Sequence, residues 1–224
     1  MQKAYVSSFQ GLQKLISENE SVVDILEEAA KSCIVECRTK WPMRQIADFI
    51  EEFIKKNSED GDYEFKGLDK EKQIIPTIAN TSTVDRRKYL VLSPKEFVFS
   101  GMQTGRDICI RICLSELDQP VLFSPAYTTF RMKCDSEVLP EFLFLNFKSK
   151  EMDRLGWFKS DSSVRANLDW DRFCEIQIPV PPIKVQKAII SLYECAENAR
   201  KIAKEARDLL EKISPALIKS SEQK

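Results

Sequence analysis

Side chains able to do covalent chemistry are sparse in this chain. None of its 224 residues is a histidine, which removes the commonest general base and metal ligand and every Ser–His or Cys–His nucleophile pair. Seven cysteines are an odd number for a disulfide framework, and their spacing is irregular. Cys33 and Cys37 make one C-x-x-x-C and Cys109 and Cys113 another. Structural zinc sites ordinarily use tighter C-x-x-C pairs, so ordinary buried thiols are the plainer reading. There is no phosphate-binding G-x-x-x-x-G-K-[ST] loop, and no glycine-rich turn with a proline-aromatic motif of the kind a methyltransferase needs. A nuclease could work from carboxylates and a lysine alone, but no convincing cluster stands out. The chain reads as a binder rather than a catalyst, with no metal and no cofactor of its own.

Hydrogen-bonding chemistry is better represented, and it is grouped. The stretch TSTVDRRKY at 81–89 sets Arg86, Arg87 and Lys88 beside hydroxyls such as Thr83. A second loop, GMQTGRD at 101–107, holds Gln103, Thr104 and Arg106 between Gly101 and Gly105, which permit tight turns. Tyr127 opens a segment that runs to Arg131 and Lys133, and a third polar loop carries Lys159, Ser162, Ser163, Arg165 and Asn167. Arginine, glutamine and asparagine can make paired hydrogen bonds to base edges, while serine, threonine and lysine suit phosphates. Solvated surface loops with a few ion pairs account for the same composition, and Arg106 beside Asp107 is then a local pair. The net charge of -1 gives no bulk basic field, so any nucleic-acid contact must be a local patch.

Elements to position these groups can be read from periodicity. Residues 1–40 read as helix, with Tyr5, Phe9, Leu12 and Ile16 on one stripe. A polar break at 17–21 follows, and a new start at Ser21 carries Val22, Leu26, Ala29, Cys33 and Cys37. This helix either packs on a core or lies against the C-terminal helix of this chain or a neighbour. Trp41-Pro42 is a boundary. Ile46, Phe49, Ile50, Phe53 and Ile54 predict a short amphipathic helix, and 57–62 a solvated acidic tip. From residue 73 the texture turns to β, with runs at 74–78, 89–92, 97–99, 121–123 and 128–132. Between 108 and 114, Ile108, Ile110, Ile112 and Leu114 alternate with Cys109, Arg111 and Cys113, which predicts one buried face. Residues 139–147 look helical, 156–169 loop-like, and 176–180 form a last strand. Irregular short strands with a few helices indicate a mixed α+β domain.

After Pro181 and Pro182 comes a long helix. Val185, Ile189, Leu192, Ala196, Ala199, Ala203, Ala206, Leu210, Ile213 and Leu217 alternate in steps of four and three. That is a coiled-coil seam with small residues at its middle, half of an interface whose other half is a helix of this chain or of a second one. From residue 183 to 213 it would run roughly 45 Å at about 1.5 Å per residue, and Pro215 should end or kink it. No apolar run is long enough to span a bilayer and no signal peptide opens the chain, so a cytoplasmic protein is expected.

Several stretches together resemble a known family. FVFSGMQTGRDICIRICL, LFSPAYTTFRMK and SSVRANLDWDRFCEIQIPVPPIKVQKAI resemble, in order and spacing, segments of specificity subunits of type I restriction-modification enzymes. The resemblance implies a mixed-sheet DNA target-recognition domain over 41–182, an N-terminal helical segment over 1–40 and a coiled-coil spacer helix over 183–224. Such a subunit carries two recognition domains, whereas this chain holds one, like half a subunit. The implied partners are double-stranded DNA, a methyltransferase subunit using S-adenosylmethionine, a restriction (translocase and nuclease) subunit, and a second copy of this chain. In that picture the seam from Val185 to Ile213 is a dimer or subunit interface, and replacing Lys88 lowers the salt slope of DNA binding by about one. The other reading is a coiled-coil interaction scaffold that binds no DNA, which the near-neutral charge favours.

Overall fold

The structure is a computed structural model. It describes residues 2–102, 108–161 and 166–222, with side chains between Val6 and Ile213. The chain divides into two compact units, Cys37–Gln186 and the pair of terminal segments Met1–Glu36 with Lys187–Lys224. The α+β class expected from sequence is what the chain adopts.

The 37–186 unit is closed by its own ends. Strand β1 (Met43–Gln45) pairs antiparallel with β10 (Gln177–Pro179), Arg44 opposite Ile178. Val180 donates its N–H to the Pro42 carbonyl and Ile46 to that of Ile176, so the prolines at either end flank one ladder. Gln186 completes the closure. It is fully buried, accepts from the Leu139 N–H and donates to the carbonyls of Glu137 and Pro181, each at 2.8 Å.

The central sheet has the order β2-β9-β6-β7, built from Ile50–Phe53, Thr128–Met132, Phe97–Ser100 and Arg111–Leu114. Two further pairs are β3 (Lys66–Leu68) with β4 (Ile74–Pro76) and β5 (Leu90–Leu92) with β8 (Val121–Phe123). All named pairs are antiparallel; among the described residues the parallel contact is the isolated bridge Phe65 to Leu122. Helices α2 (Pro140–Phe147), α3 (Lys150–Lys159) and α4 (Trp170–Cys174) follow. Proline opens α2, the Ser149 hydroxyl accepts the Met152 N–H to cap α3, and Asp169 caps α4. The core between sheet and helices is aromatic. Phe97 stacks on Phe130 at 4.7 Å and Phe99 on Phe173 at 4.2 Å, with Phe147 and Trp170 beside Phe173. Each such ring contributes about 1.5–3 kcal/mol by leaving water.

Three local expectations fail here. Residues 46–54 form a 3-10 turn, Ile46–Asp48, and then β2, not an amphipathic helix. Spacings of three and four suit a short helix, but hydrogen bonding to Ile176 and the ladder with β9 prevail. Residues 156–159 belong to α3 rather than to a loop. On β7 and the residues before it, Cys109 and Cys113 are as buried as Ile110 and Ile112, because α2 and β3 both contact β7. The alternation of residue types is therefore not an alternation of exposure.

The terminal segments form an antiparallel helix pair. Helix α1 spans Gln2–Lys40 without interruption. The predicted break at 17–21 is absorbed, since Ser17, Asn19 and Ser21 bond back to the carbonyls of Lys14, Leu15 and Glu18. Its inner face is Phe9, Leu12, Ile16, Asn19, Val23, Leu26, Ala30 and Cys33, all buried or half-buried, a seam one residue out of step with the Val22 and Ala29 expectation. Helix α5 (Ile183–Glu222) continues through Pro215 and does not end there. Its Ile189, Ala196, Ala199, Ala203 and Ala206 are buried, with Leu192, Leu210 and Ile213 half-buried. Ion pairs Glu27 to Arg200 and Glu20 to Arg207 set the register, since moving seven residues along one helix moves seven back along the other. The seam thus packs with α1 of the same chain, one of the two partners its spacing allows. Val185, half-buried, falls in the other unit.

Candidate nucleic-acid interface

Strand registers bring the predicted polar loops to one end of the central sheet. Ser100 at the end of β6 lies opposite Arg111, so β6 and β7 make a hairpin whose tip begins at Gly101. Thr128 at the start of β9 lies opposite Phe99, and Phe53 at the end of β2 lies opposite Thr129. Tyr127, set edge-on to Phe123 at 5.2 Å, therefore stands beside that tip. Phe123 in turn is opposite Leu90, just after the 81–88 loop. Arg131 and Lys133 run towards the far end and are used there. Arg131 pairs with Glu51 at 2.7 Å, and Lys133 donates to the carbonyls of Ala47 and Asp48.

Two of the loops share a root. Met102 bridges to Asn167, the Leu168 N–H donates to the Gly101 carbonyl at 2.8 Å, and Asp161 and Asn167 close the other loop on itself. Gly101 is needed for this contact, because a Cβ there would lie 2.1 Å from the Leu168 carbonyl oxygen. The returning limb of the hairpin is held from the far side. Asp153 on α3 accepts the Ile110 N–H at 2.9 Å and Lys72 at 2.7 Å, and the Lys72 side chain is 6% exposed. Lys72 also takes a left-handed backbone with φ of 61°, so the turn between β3 and β4 is shaped around this ion pair.

Charge at the first loop is largely spent internally. Arg86 donates to the Gly61 and Tyr63 carbonyls and to Asp62, and lies 4.9 Å over the Phe65 ring. Arg87 pairs with Asp60 at 3.6 Å and Lys88 with Asp85 at 3.8 Å. The acidic tip expected to be solvated is their counterpart, organised by buried Asn57, which bonds both ways with the Gly61 backbone. Thr83 is exposed. Lys159 pairs with Glu175 at 3.0 Å, and its carbonyl accepts from Arg172. Gln103, Thr104, Arg106, Ser162, Ser163 and Arg165 lie outside the described residues.

Sequence reading missed Lys55 and Lys56. Both are exposed, and among the described residues neither makes an ion pair. They leave β2 to meet β5, Lys55 accepting the Val91 N–H and Lys56 bridging Leu90, so they sit at the same end as the loops. A strand reading of 50–53 would have exposed them as the exit of that strand.

Burial raises the Cys113 thiol to about 12 and the Cys174 thiol to about 11, the reverse of an activated nucleophile. Among the described residues no group of three cysteines or carboxylates could hold a metal, and no helix is long and apolar enough to cross a membrane.

The helix pair has two unlike flanks. Glu20, Glu27, Arg200 and Arg207 line one; on the other, Leu15 and Val22 of α1 and Ile202 and Leu209 of α5 are exposed.

A family model described as type I restriction modification DNA specificity domain matches residues 40–212. No curated protein sequence matches the chain. The fold is similar to that of the type I restriction-modification system S subunit from M. genitalium, at 14% identity and a TM-score of 0.54, covering 97% of this chain and 57% of that one. It is also similar to the HsdS subunit from Thermoanaerobacter tengcongensis, at 10% identity and a TM-score of 0.51, covering 97% and 55%. The chain spans little more than half the length of these structures, and at such identities the likeness is one of fold.

Proposed function

This chain belongs to the type I restriction modification DNA specificity domain family, and we propose that its 37–186 unit reads one half of a split DNA site with the loop end of the central sheet. The observation that carries this reading is the shared root of the 101–110 and 161–167 loops at Gly101. A common root lets the two polar segments leave the domain side by side, so that both can face one stretch of DNA. Lys55 and Lys56 supply phosphate contacts beside it. The chain is a recognition component; base methylation belongs to a methyltransferase subunit that uses S-adenosylmethionine, and cleavage to a restriction subunit.

The helices set distance and dock that methyltransferase. With the alanine seam filled internally, the apolar flank of Leu15, Val22, Ile202 and Leu209 is the surface left for a partner helix. A second copy, pairing through the same helices, supplies the other recognition domain and the other half-site.

The test is to produce the chain with the methyltransferase subunit of its own system, map the bases methylated in DNA, and measure binding to the resulting motif by fluorescence anisotropy across salt concentrations. A split motif and steeply salt-dependent, sequence-selective binding are expected. An assembled complex with no salt-dependent DNA binding would leave the interaction-scaffold reading instead.

A further inference from the structure

We propose that Met102 and Ile108 read the methyl groups of thymines in the major groove, so that this chain's half-site contains at least one thymine sensed by apolar contact. The inference rests on the DNA-reading assignment above and adds to it the chemistry of a contacted base. Met102 is 56% exposed and Ile108 46%. They are the described residues on either side of 103–107, on the two limbs of one hairpin. Both limbs are fixed from behind. Met102 is held by its bridge to Asn167, and two residues after Ile108 the Ile110 N–H is bound to Asp153.

Large apolar side chains on a rigid frame gain nothing from exposure to water, and their nearest neighbours inward show the contrast. Cys109 and Ile110 are buried, Ile110 completely. A partner surface must supply what Met102 and Ile108 lack. Lys55 and Lys56, exposed and without an ion pair among the described residues, stand at the same end of the sheet, so that surface is anionic overall while offering apolar spots. Duplex DNA fits both demands, because the major groove presents the thymine methyl between two phosphate rows and no other base carries an apolar group there. Removing one methyl from such a contact forfeits burial of about one methylene's worth, a change of about three- to fivefold in affinity.

The experiment uses the complex of this chain with its methyltransferase subunit and duplexes carrying the mapped motif. Each thymine of the half-site is replaced singly by uracil, which deletes the methyl and keeps base pairing. At least one replacement is expected to weaken binding about three- to fivefold with the native chain. With Met102→Ala or Ile108→Ala the same replacement should have no effect, while affinity for the uracil duplex stays near that of the native chain. Thermal melting checks that both variants fold, which exposure of the two side chains favours.

Selective, salt-dependent binding that ignores every uracil replacement overturns the proposal and leaves the DNA reading intact, as does a half-site without thymine. Variants that keep full uracil discrimination but fail to assemble with the methyltransferase also overturn it, assigning the two residues to a protein interface. Absence of selective DNA binding removes the broader reading along with this one.

Discussion

Lys72 and Arg86 carry the same charge as Lys55 and Lys56, but the two pairs are used in different ways. The first two are enclosed by acceptors. Lys72 meets Asp153 with both carboxylate oxygens within 2.9 Å, and Arg86 has two carbonyls, a carboxylate and an aromatic face. The second pair stands exposed at the exit of β2 with no ion partner among the described residues. A cation surrounded by protein acceptors holds the fold and offers little to a phosphate, whereas an unpaired one costs nothing to redirect. The loop richest in basic residues is therefore not the most basic surface, since 57–62 answers it.

The sharpest way to break this contrast is to remove a cation of the enclosed kind. Lys72→Met leaves Asp153 largely buried and without its counter-charge. That should cost about 3–5 kcal/mol of stability, seen as a lowered denaturation midpoint at unchanged m-value. A loss under about 1 kcal/mol would mean that the pair is solvated and that Lys72 belongs with the free lysines. Because Asp153 also holds the Ile110 N–H, the surviving folded fraction should show loosened hydrogen-exchange protection at that amide.

Gly101→Ala comes next and tests the shared loop root rather than a charge. A Cβ placed 2.1 Å from a backbone oxygen has no flexible neighbour to push aside, so the two loops must separate. A destabilisation of about 1–3 kcal/mol is expected, with selectivity between target and random duplex falling further than affinity for random duplex. If both affinities fall equally, the two loops are not read as a unit.

How much of this could be read beforehand follows the range of the interactions involved. The α+β class, the strands near 90, 97, 121 and 128 and the alanine seam are local patterns, and they were legible. What sequence could not show was pairing across distance. Asp153 lies 81 residues from Lys72, and Glu27 lies 173 from Arg200; nothing local in either stretch names its partner. The seam of α1 was missed by one residue because Val22 and Val23 are equally apolar, and only α5 decides which faces inward. Residues 46–54 misled for a related reason, since five apolar side chains at helical spacing also suit a turn followed by a strand. That error hid Lys55 and Lys56.

Those two lysines give the prediction that separates the two classes of cation most directly. The Lys55→Ala/Lys56→Ala double variant should melt within about 0.5 kcal/mol of the native chain, as exposed substitutions do. Its plot of log affinity against log salt should lose about two units of slope, about 0.9 per phosphate contact released. The reduction should be alike for target and random duplexes, because phosphate contacts carry no sequence information. An unchanged slope would place the DNA elsewhere.

Lys88→Ala is the smallest effect and refines the contrast rather than breaking it. Read from sequence, Lys88 was worth about one unit of slope. In the fold it stands 3.8 Å from Asp85, with Arg87 turned to Asp60 and Asp62 close to Arg86. Its side chain is well exposed, and an exposed pair at that distance is weak, worth about 0–1 kcal/mol at most. Lys88 can swing to a phosphate, but it leaves Asp85 behind to repel the same phosphate. The slope should therefore fall by roughly half a unit or less. Removing the acid should reveal the rest: with Asp85→Asn in place, Lys88→Ala should recover a change near one unit. If Lys88→Ala costs a full unit without that help, local acids do not screen this loop, and the 81–88 segment joins Lys55 and Lys56 as phosphate-binding surface.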